Sequence, residues 1–213
     1  MPGQPASTSP RAARTRAALI AAGFDLLVEK PIDAIAIDDL VGKAGVAKGS
    51  FFNHFADKAD FAVAIATEVR LELEERVARA NAGIADPVER IAGGMRVGAE
   101  FSISEPKRTM VLLRSQGNST ARAHPLNRGL LDDIEAACAK GLLRPEAKDS
   151  GVLYWLGLCQ VLMVNLIDRK PNRAAGNRRL REMLVLGLTG LGVSAKRAAE
   201  VARANACRIE RGH

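Results

Sequence analysis

Lys48, Ser50, Asn53 and His54 fall within seven consecutive residues and bring together an ammonium, a hydroxyl, a carboxamide and an imidazole. These are donors and acceptors for phosphates and base edges: Lys can donate to guanine O6 and N7, and Asn can pair with adenine N6 and N7 in a major groove. For the set to act together, one short helix must hold it on one side. Phe51 and Phe55 are four apart and form an apolar stripe, which leaves Lys48, Ser50, Asn53 and His54 pointing outward. A preceding helix is readable from Ile37, Leu40 and Val41 at helical spacing, with Asp38 and Asp39 in its first turn. Gly45 between the two permits positive φ at the corner, and Val46 is an apolar peg that seats the second helix on the first. Residues 35–54 therefore read as a helix-turn-helix.

The run Ala44-Gly45-Val46, Lys48-Gly49-Ser50, Phe52, His54-Phe55 and Lys58 resembles the helix-turn-helix signature of the TetR family of transcriptional regulators. The resemblance extends back through Leu19, Ile20, Ala22, Gly23 and Leu27 and covers residues 11–72; beyond it the chain is similar only in length and helical character. It implies DNA contacts from Lys48, Gly49, Ser50, Phe52, Asn53, His54 and Lys58, with Lys58 at a phosphate rather than a base. It also implies a double-stranded DNA operator, a homodimer, a small-molecule effector, and repression as the family's usual mode. Three positions depart from the pattern. Ala36 stands where a capping Thr is usual, so Asp38 is expected to cap instead. Pro31 replaces a Gly and demands a different first turn, and Phe52 keeps a Tyr ring without its hydroxyl, a donor that His54 can supply.

Of the 213 residues, 47% are hydrophobic and only 4% aromatic, a balance rich in Ala and Leu that favours helices over sheet. The formal charge of +7 is not spread evenly. Residues 1–80 hold 10 Lys/Arg against 11 Asp/Glu, residues 81–169 hold 11 against 10, and residues 170–213 hold 10 against 3, so bulk charge does not argue for DNA. Locally, Arg11, Arg14 and Arg16 precede any acidic residue and are read as a flexible arm for phosphates or the minor groove. The basic end, with Lys196, Arg197, Arg203, Arg208 and Arg211, reads as a solvated face. Cys138, Cys159 and Cys207 lack metal spacing and read as reduced thiols of a cytoplasmic protein. No phosphate loop, metal spacing or nucleophile elbow is present, which argues against an enzyme and calls for no cofactor; Asp132, Asp133 and Glu135 read as a solvated helix face.

The expected fold is all-α: a polar, disordered tail at 1–10, a three-helix DNA-binding domain at 11–72, and a helical ligand-binding and dimerisation domain at 73–213. Helices are expected at 11–30, 57–80, 87–103, 105–115, 123–140, 149–169, 176–192 and 194–210 beside the motif pair, with a loop at 115–120. The later Arg and Glu residues of 57–80 are expected in solvent. Residues 151–167 carry no charge but span only about 25 Å, short of a roughly 30 Å hydrocarbon core, and include Gln160 and Asn165. Burial rather than a membrane is the expectation. Residues 183–191 are similarly apolar, so 149–169 and 176–192 are assigned to a four-helix dimer interface, with Gly157, Gly187 and Gly190 allowing close approach and Leu188 facing the partner. Met95, Phe101, Met110, Leu113, Leu126, Tyr154, Trp155 and Leu158 are the candidates for a ligand pocket, and His124 reads as a cap. The residues themselves leave open a helical module that no longer binds DNA.

Overall fold

The computed structural model describes residues 9–114 and 124–211, without the side chains from Cys207 onward. Every regular element among the described residues is helical. Two compact units divide the chain, residues 1–68 and residues 69–213.

The first unit holds α1 (Pro10–Glu29), α2 (Ile37–Ala44), α3 (Lys48–Phe52) and the beginning of α4 (Lys58–Asn81). Ser9 and Pro10, assigned from sequence to a disordered tail, instead start α1: the Ser9 hydroxyl accepts from the Ala12 N–H and Pro10 fills the first turn, where its missing N–H has no cost. Arg11 and Arg14 consequently stand on a helix rather than on a flexible arm. Lys30 and Pro31 are extended and lead into a 3-10 turn, Ile32–Ala34, the different connection that Pro31 demands. Ala36 occupies the N-cap of α2 without a side-chain bond, and Asp38 does not replace it. Asp38 lies already inside the first turn, and its carboxylate takes Lys48 at 2.9 Å.

Gly45 ends α2 at φ 68°, ψ 31°, with its N–H on the Gly42 carbonyl and the Val46 N–H on the Val41 carbonyl at 3.0 Å. This paired closure is a Schellman motif, and its left-handed corner is where a side chain would be strained. Beneath it Phe51, Phe55 and Phe61 form a triangle with ring centroids 5.6, 5.4 and 4.7 Å apart. Gly23 lets α1 onto this cluster: a Cβ there would lie 2.2 Å from Phe61 Cζ.

The second unit begins in the middle of α4 and continues through α5 (Pro87–Ser104), α6 (Pro106–Arg114), α7 (Arg128–Ala139), α8 (Ala147–Arg169), α9 (Arg173–Gly190) and α10 (Ala195–Arg211). Asp86 caps α5 through the Val88 N–H at 2.8 Å, with Pro87 at the first position. Helix α5 is buried on most sides, and Ile91, Met95 and Ala99 join Trp155, Leu162 and Leu166 of α8 and Leu180, Leu184 and Leu188 of α9 in one core. The helix expected at 123–140 starts later. His124 Nδ1 accepts from the Leu126 N–H, Pro125 fixes a 3-10 turn, and the α-helix opens only at Arg128. The loop expected at 115–120 and Cys207 lie outside the described residues and side chains.

The polar face of α4 is solvated as anticipated at Glu75 and Arg79 but not along its whole length. Arg70 pairs with Glu74 and donates to Asn127, Glu72 holds Arg76 and Arg108, and the Arg76 guanidinium sits 4.9 Å over the Phe101 ring. Asp133 likewise is not a solvated residue. Its side chain retains 13% of its exposure and bonds Arg90.

Candidate nucleic-acid interface and ligand cavity

In the first unit the Schellman corner fixes where α3 leaves α2, and burial of Phe51 fixes how α3 rotates. Phe51 is fully buried, whereas Lys48, Gly49, Phe52 and Asn53 are exposed and Ser50 and His54 are half-buried. Helical continuity ends at Phe52; Asn53 and His54 follow in a turn closed by the His54 N–H on the Phe51 carbonyl at 3.0 Å. Six of the seven expected DNA-contacting residues are thus exposed or half-buried on α3 and the turn after it, and together offer an ammonium, a hydroxyl, an amide, an imidazole and an exposed ring. Lys58 does not offer its charge in the same way. Its Nζ donates to the carbonyls of Asp33 and Ile35, both at 3.1 Å, and ties α4 to the 3-10 turn.

Three further cations of this unit are also held at close range. Lys43 pairs with Asp25 at 3.1 Å, Lys30 with Asp39 at 3.8 Å, and Arg16 with Glu68 at 2.9 Å while lying 5.6 Å from the Phe55 ring centroid. Such exposed pairs contribute only about 0–1 kcal/mol each and yield readily to a stronger anion. Lys48 can therefore leave Asp38 for a phosphate or a guanine edge.

The second unit contains a cavity of about 410 Å³ bounded by α4, α5, α7 and α8. Its apolar wall includes Val77, Leu126, Trp155 and Met163, and its polar wall includes Arg70, Glu74, Asn81, Arg90, Asp133 and Gln160. Burial raises the Asp133 carboxyl pKa despite the opposing effect of Arg90, and burial pushes the Cys159 thiol in the same wall up to about 12.

Of the eight residues expected to line a pocket, Leu126 and Trp155 border this one. Met95 is sealed in the core, Phe101 lies under Arg76, Met110 is half-buried on α6, and Leu113 borders a separate groove beside Val161 and Val164. Tyr154 points its hydroxyl toward Gly190, and Leu158 packs toward Gly187. The charged lining was not anticipated. Arg70, Glu74, Val77 and Asn81 recur along one side of α4, but a polar stripe at helical spacing reads as solvent-facing until a second helix is seen to cover it.

Helices α8 and α9 keep an apolar face outside the core. Leu153, Val161 and Leu186 are 60%, 64% and 66% exposed, and Tyr154 and Val164 lie beside this pattern. Leu188, expected at the partner's side, is instead fully buried within its own subunit, because α9 turns it inward with Leu184. The glycines divide in the same manner. A Cβ at Gly187 would come within 2.9 Å of Trp155 and one at Gly190 within 2.1 Å of the Tyr154 hydroxyl, whereas Gly157 has nothing of its own chain within 4 Å of that position.

Residues 19–65 match the family model described as bacterial regulatory proteins, tetR family. The chain is 39% identical over 57 residues to the transcriptional regulator AcuR of Cereibacter sphaeroides, an alignment covering 27% of this chain and 26% of AcuR. It therefore spans about a quarter of the length of that relative. A Shewanella sp. PV-4 protein solved as a candidate tetR family transcription regulator superposes with a TM-score of 0.73 at 15% identity, over 83% of this chain and 97% of that one. RolR in complex with resorcinol superposes with a TM-score of 0.63 at 20% identity, over 90% and 94% of the two chains. Residues 19–65 thus carry the tetR-family motif, and the helical fold around them is the one seen in solved tetR-family regulators.

Proposed function

We propose that this protein is a one-component transcriptional regulator that grips operator DNA through α3 and the turn after it, as a homodimer, and that a small molecule in the α4–α8 cavity sets its affinity for DNA. The observation that carries the reading is the outward set Lys48, Ser50, Asn53 and His54, held by a buried Phe51 beneath a Schellman-closed turn. RolR, similar in fold, is known in complex with resorcinol, which supports an effector role for a cavity inside the helical unit. The apolar face of α8 and α9 supports self-association, with Gly157 as the point of close approach between copies. We assign the chain to the cytoplasm and the outcome of operator binding to repression, on a palindromic operator matched to a two-fold dimer.

Coupling runs through α4. Its first half carries Phe61 of the aromatic triangle, and its second half supplies Arg70, Glu74 and Val77 to the cavity wall. A ligand that repacks that wall tilts α4 and with it the motif. Two half-sites about 34–36 Å apart tolerate little tilt. Operator affinity and ligand affinity are then reciprocally linked.

The test is binding of the purified protein to DNA fragments from around its own gene across a salt series. Lys48→Ala and Asn53→Ala are each expected to weaken binding by about 1–3 kcal/mol with the helical fold intact. Binding that ignores both substitutions and salt removes the groove assignment and favours a helical module that has left DNA behind, a reading supported by the intramolecular partners of Lys48 and Lys58.

A further inference from the structure

The two ion pairs in the cavity wall lie toward opposite ends of it. On α4, Arg70 and Glu74 sit about 10 Å of helix rise before Asn81, at 1.5 Å per residue from Glu74. Asn81 donates to the Arg90 carbonyl at 2.9 Å, and Arg90 holds Asp133, so the second pair belongs to the Asn81 end. Helix α7 repeats the same order, since Asn127 just before it meets Arg70 and Asp133 six residues later meets Arg90. Between the ends lie Val77, Leu126, Trp155 and Met163.

Arg90 is engaged through all three of its nitrogens and Arg70 through all but Nη1. Arg90 directs Nε and Nη2 at Asp133 Oδ1 and Nη1 at the carbonyls of Ile84 and Ala85, while Arg70 directs Nε at Glu74 Oε1 and Nη2 at Asn127. Each carboxylate uses one oxygen for its arginine. Glu74 Oε2 and Asp133 Oδ2 have no protein donor among the described residues, and both side chains face the cavity. The site is neutral by internal pairing, with Glu74 Oε2, Asp133 Oδ2 and the buried Asn81 Oδ1 as open acceptors. An anion entering it finds no uncommitted charge to offset desolvation, and a cation would unbalance pairs already satisfied.

Resting on the reading of this cavity as the effector site, we propose that it takes an uncharged molecule with an apolar body and a hydroxyl donor at each end, one for Glu74 and one for Asp133. Trp155 and Met163 pack on the body, and the roughly 410 Å³ suits a molecule of two small rings rather than a long chain.

Calorimetric titration of the full-length protein with four matched biphenyls tests this. 4,4'-Biphenol is expected to bind tightest, 4-phenylphenol about tenfold more weakly for the loss of one hydrogen bond to a carboxylate, and 4,4'-dimethoxybiphenyl about a hundredfold more weakly for the loss of two. Biphenyl-4,4'-dicarboxylate is expected to give no binding heat. Gly94→Leu fills the cavity from α5, where the nearest heavy atom to a new Cβ is Val77 at 3.9 Å, and should abolish biphenol binding in a protein of native circular dichroism. Dimethoxy or dicarboxylate ligands that bind as well as biphenol would overturn the donor rule while leaving the cavity an effector site. Biphenol binding indifferent to Gly94→Leu overturns the assignment of the site, and silence from all four ligands in the folded protein overturns both the ligand class and the effector reading.

Discussion

The candidate sites of the two units are lined by charge held in different ways. In residues 1–68 the cations meet carboxylates at the surface: Lys48 with Asp38, Lys43 with Asp25 and Arg16 with Glu68 all retain around 40% or more of their exposure on both partners. In residues 69–213 pairs such as Arg79–Glu75 and Arg128–Asp132 are just as exposed, but two others are pulled inward, with Arg70 at 14% and Asp133 at 13% beside a cavity. Surface pairs are cheap to exchange, and inner pairs are costly to break from one side. The exposed pairs around α3 can exchange for an external anion, whereas the inner pairs beside the cavity stay matched and leave Glu74 Oε2 and Asp133 Oδ2 open toward it.

The largest effect separates inside from outside within the second unit. Leu188→Asp places an unpaired charge in a fully buried site and is expected to unfold that unit, while Leu186→Asp, at 66% exposure, is expected to leave it folded but monomeric in light scattering. A folded Leu188→Asp protein would contradict the core assignment. Phe51→Ala comes next, removing a ring at the centre of the first unit and costing about 3–5 kcal/mol in chemical denaturation. If it cost less than about 1 kcal/mol, the aromatic triangle would not be what orients α3.

Asp86→Ala is expected to cost about 1–2 kcal/mol near neutral pH through loss of the α5 cap. Burial pushes the Asp86 carboxyl upward, but Arg197 at 2.6 Å and the Val88 N–H outweigh it and hold its pKa below the usual carboxylate range. Its stabilisation is therefore complete above the unfolded pKa near 4 and fades as pH falls through the lower folded value. The difference between parent and variant in denaturant midpoints should shrink on acidification; a constant gap from pH 7 to pH 2 would contradict this. Smallest is Asp38→Ala, worth about 0–1 kcal/mol to the fold. It should strengthen operator binding at low salt by freeing Lys48, and weaker binding would mean that Asp38 orients Lys48 rather than restrains it.

Much of the first unit was legible because its information is local. Gly45, Val46, Phe51 and Phe55 state a turn, a seat and a buried stripe within eleven residues, and the structure realises each within hydrogen-bond or ring contact. Misreadings there concern helix ends and partners: α1 begins at Pro10 where a tail was expected, Asp38 does not cap, and Lys58 bonds two carbonyls because the Ile32–Ala34 turn comes to meet it from more than twenty residues away. In the second unit the helices were legible but their faces were not. Helix α8 is apolar on nearly every side, so composition cannot say that Trp155 points inward and Val161 outward.

By itself, then, the sequence determined the helical class, the helix-turn-helix and the side of α3 that carries its polar groups, since each depends on spacing along a single segment. Tertiary structure alone decided that Arg70, Glu74 and Asp133 leave the surface to wall a cavity, and that Leu188 belongs to the core while Leu186 does not. The periodicity of one helix fixes which residues share a face, but what covers that face depends on a helix distant in sequence, and only its arrival turns a polar stripe into the wall of a cavity.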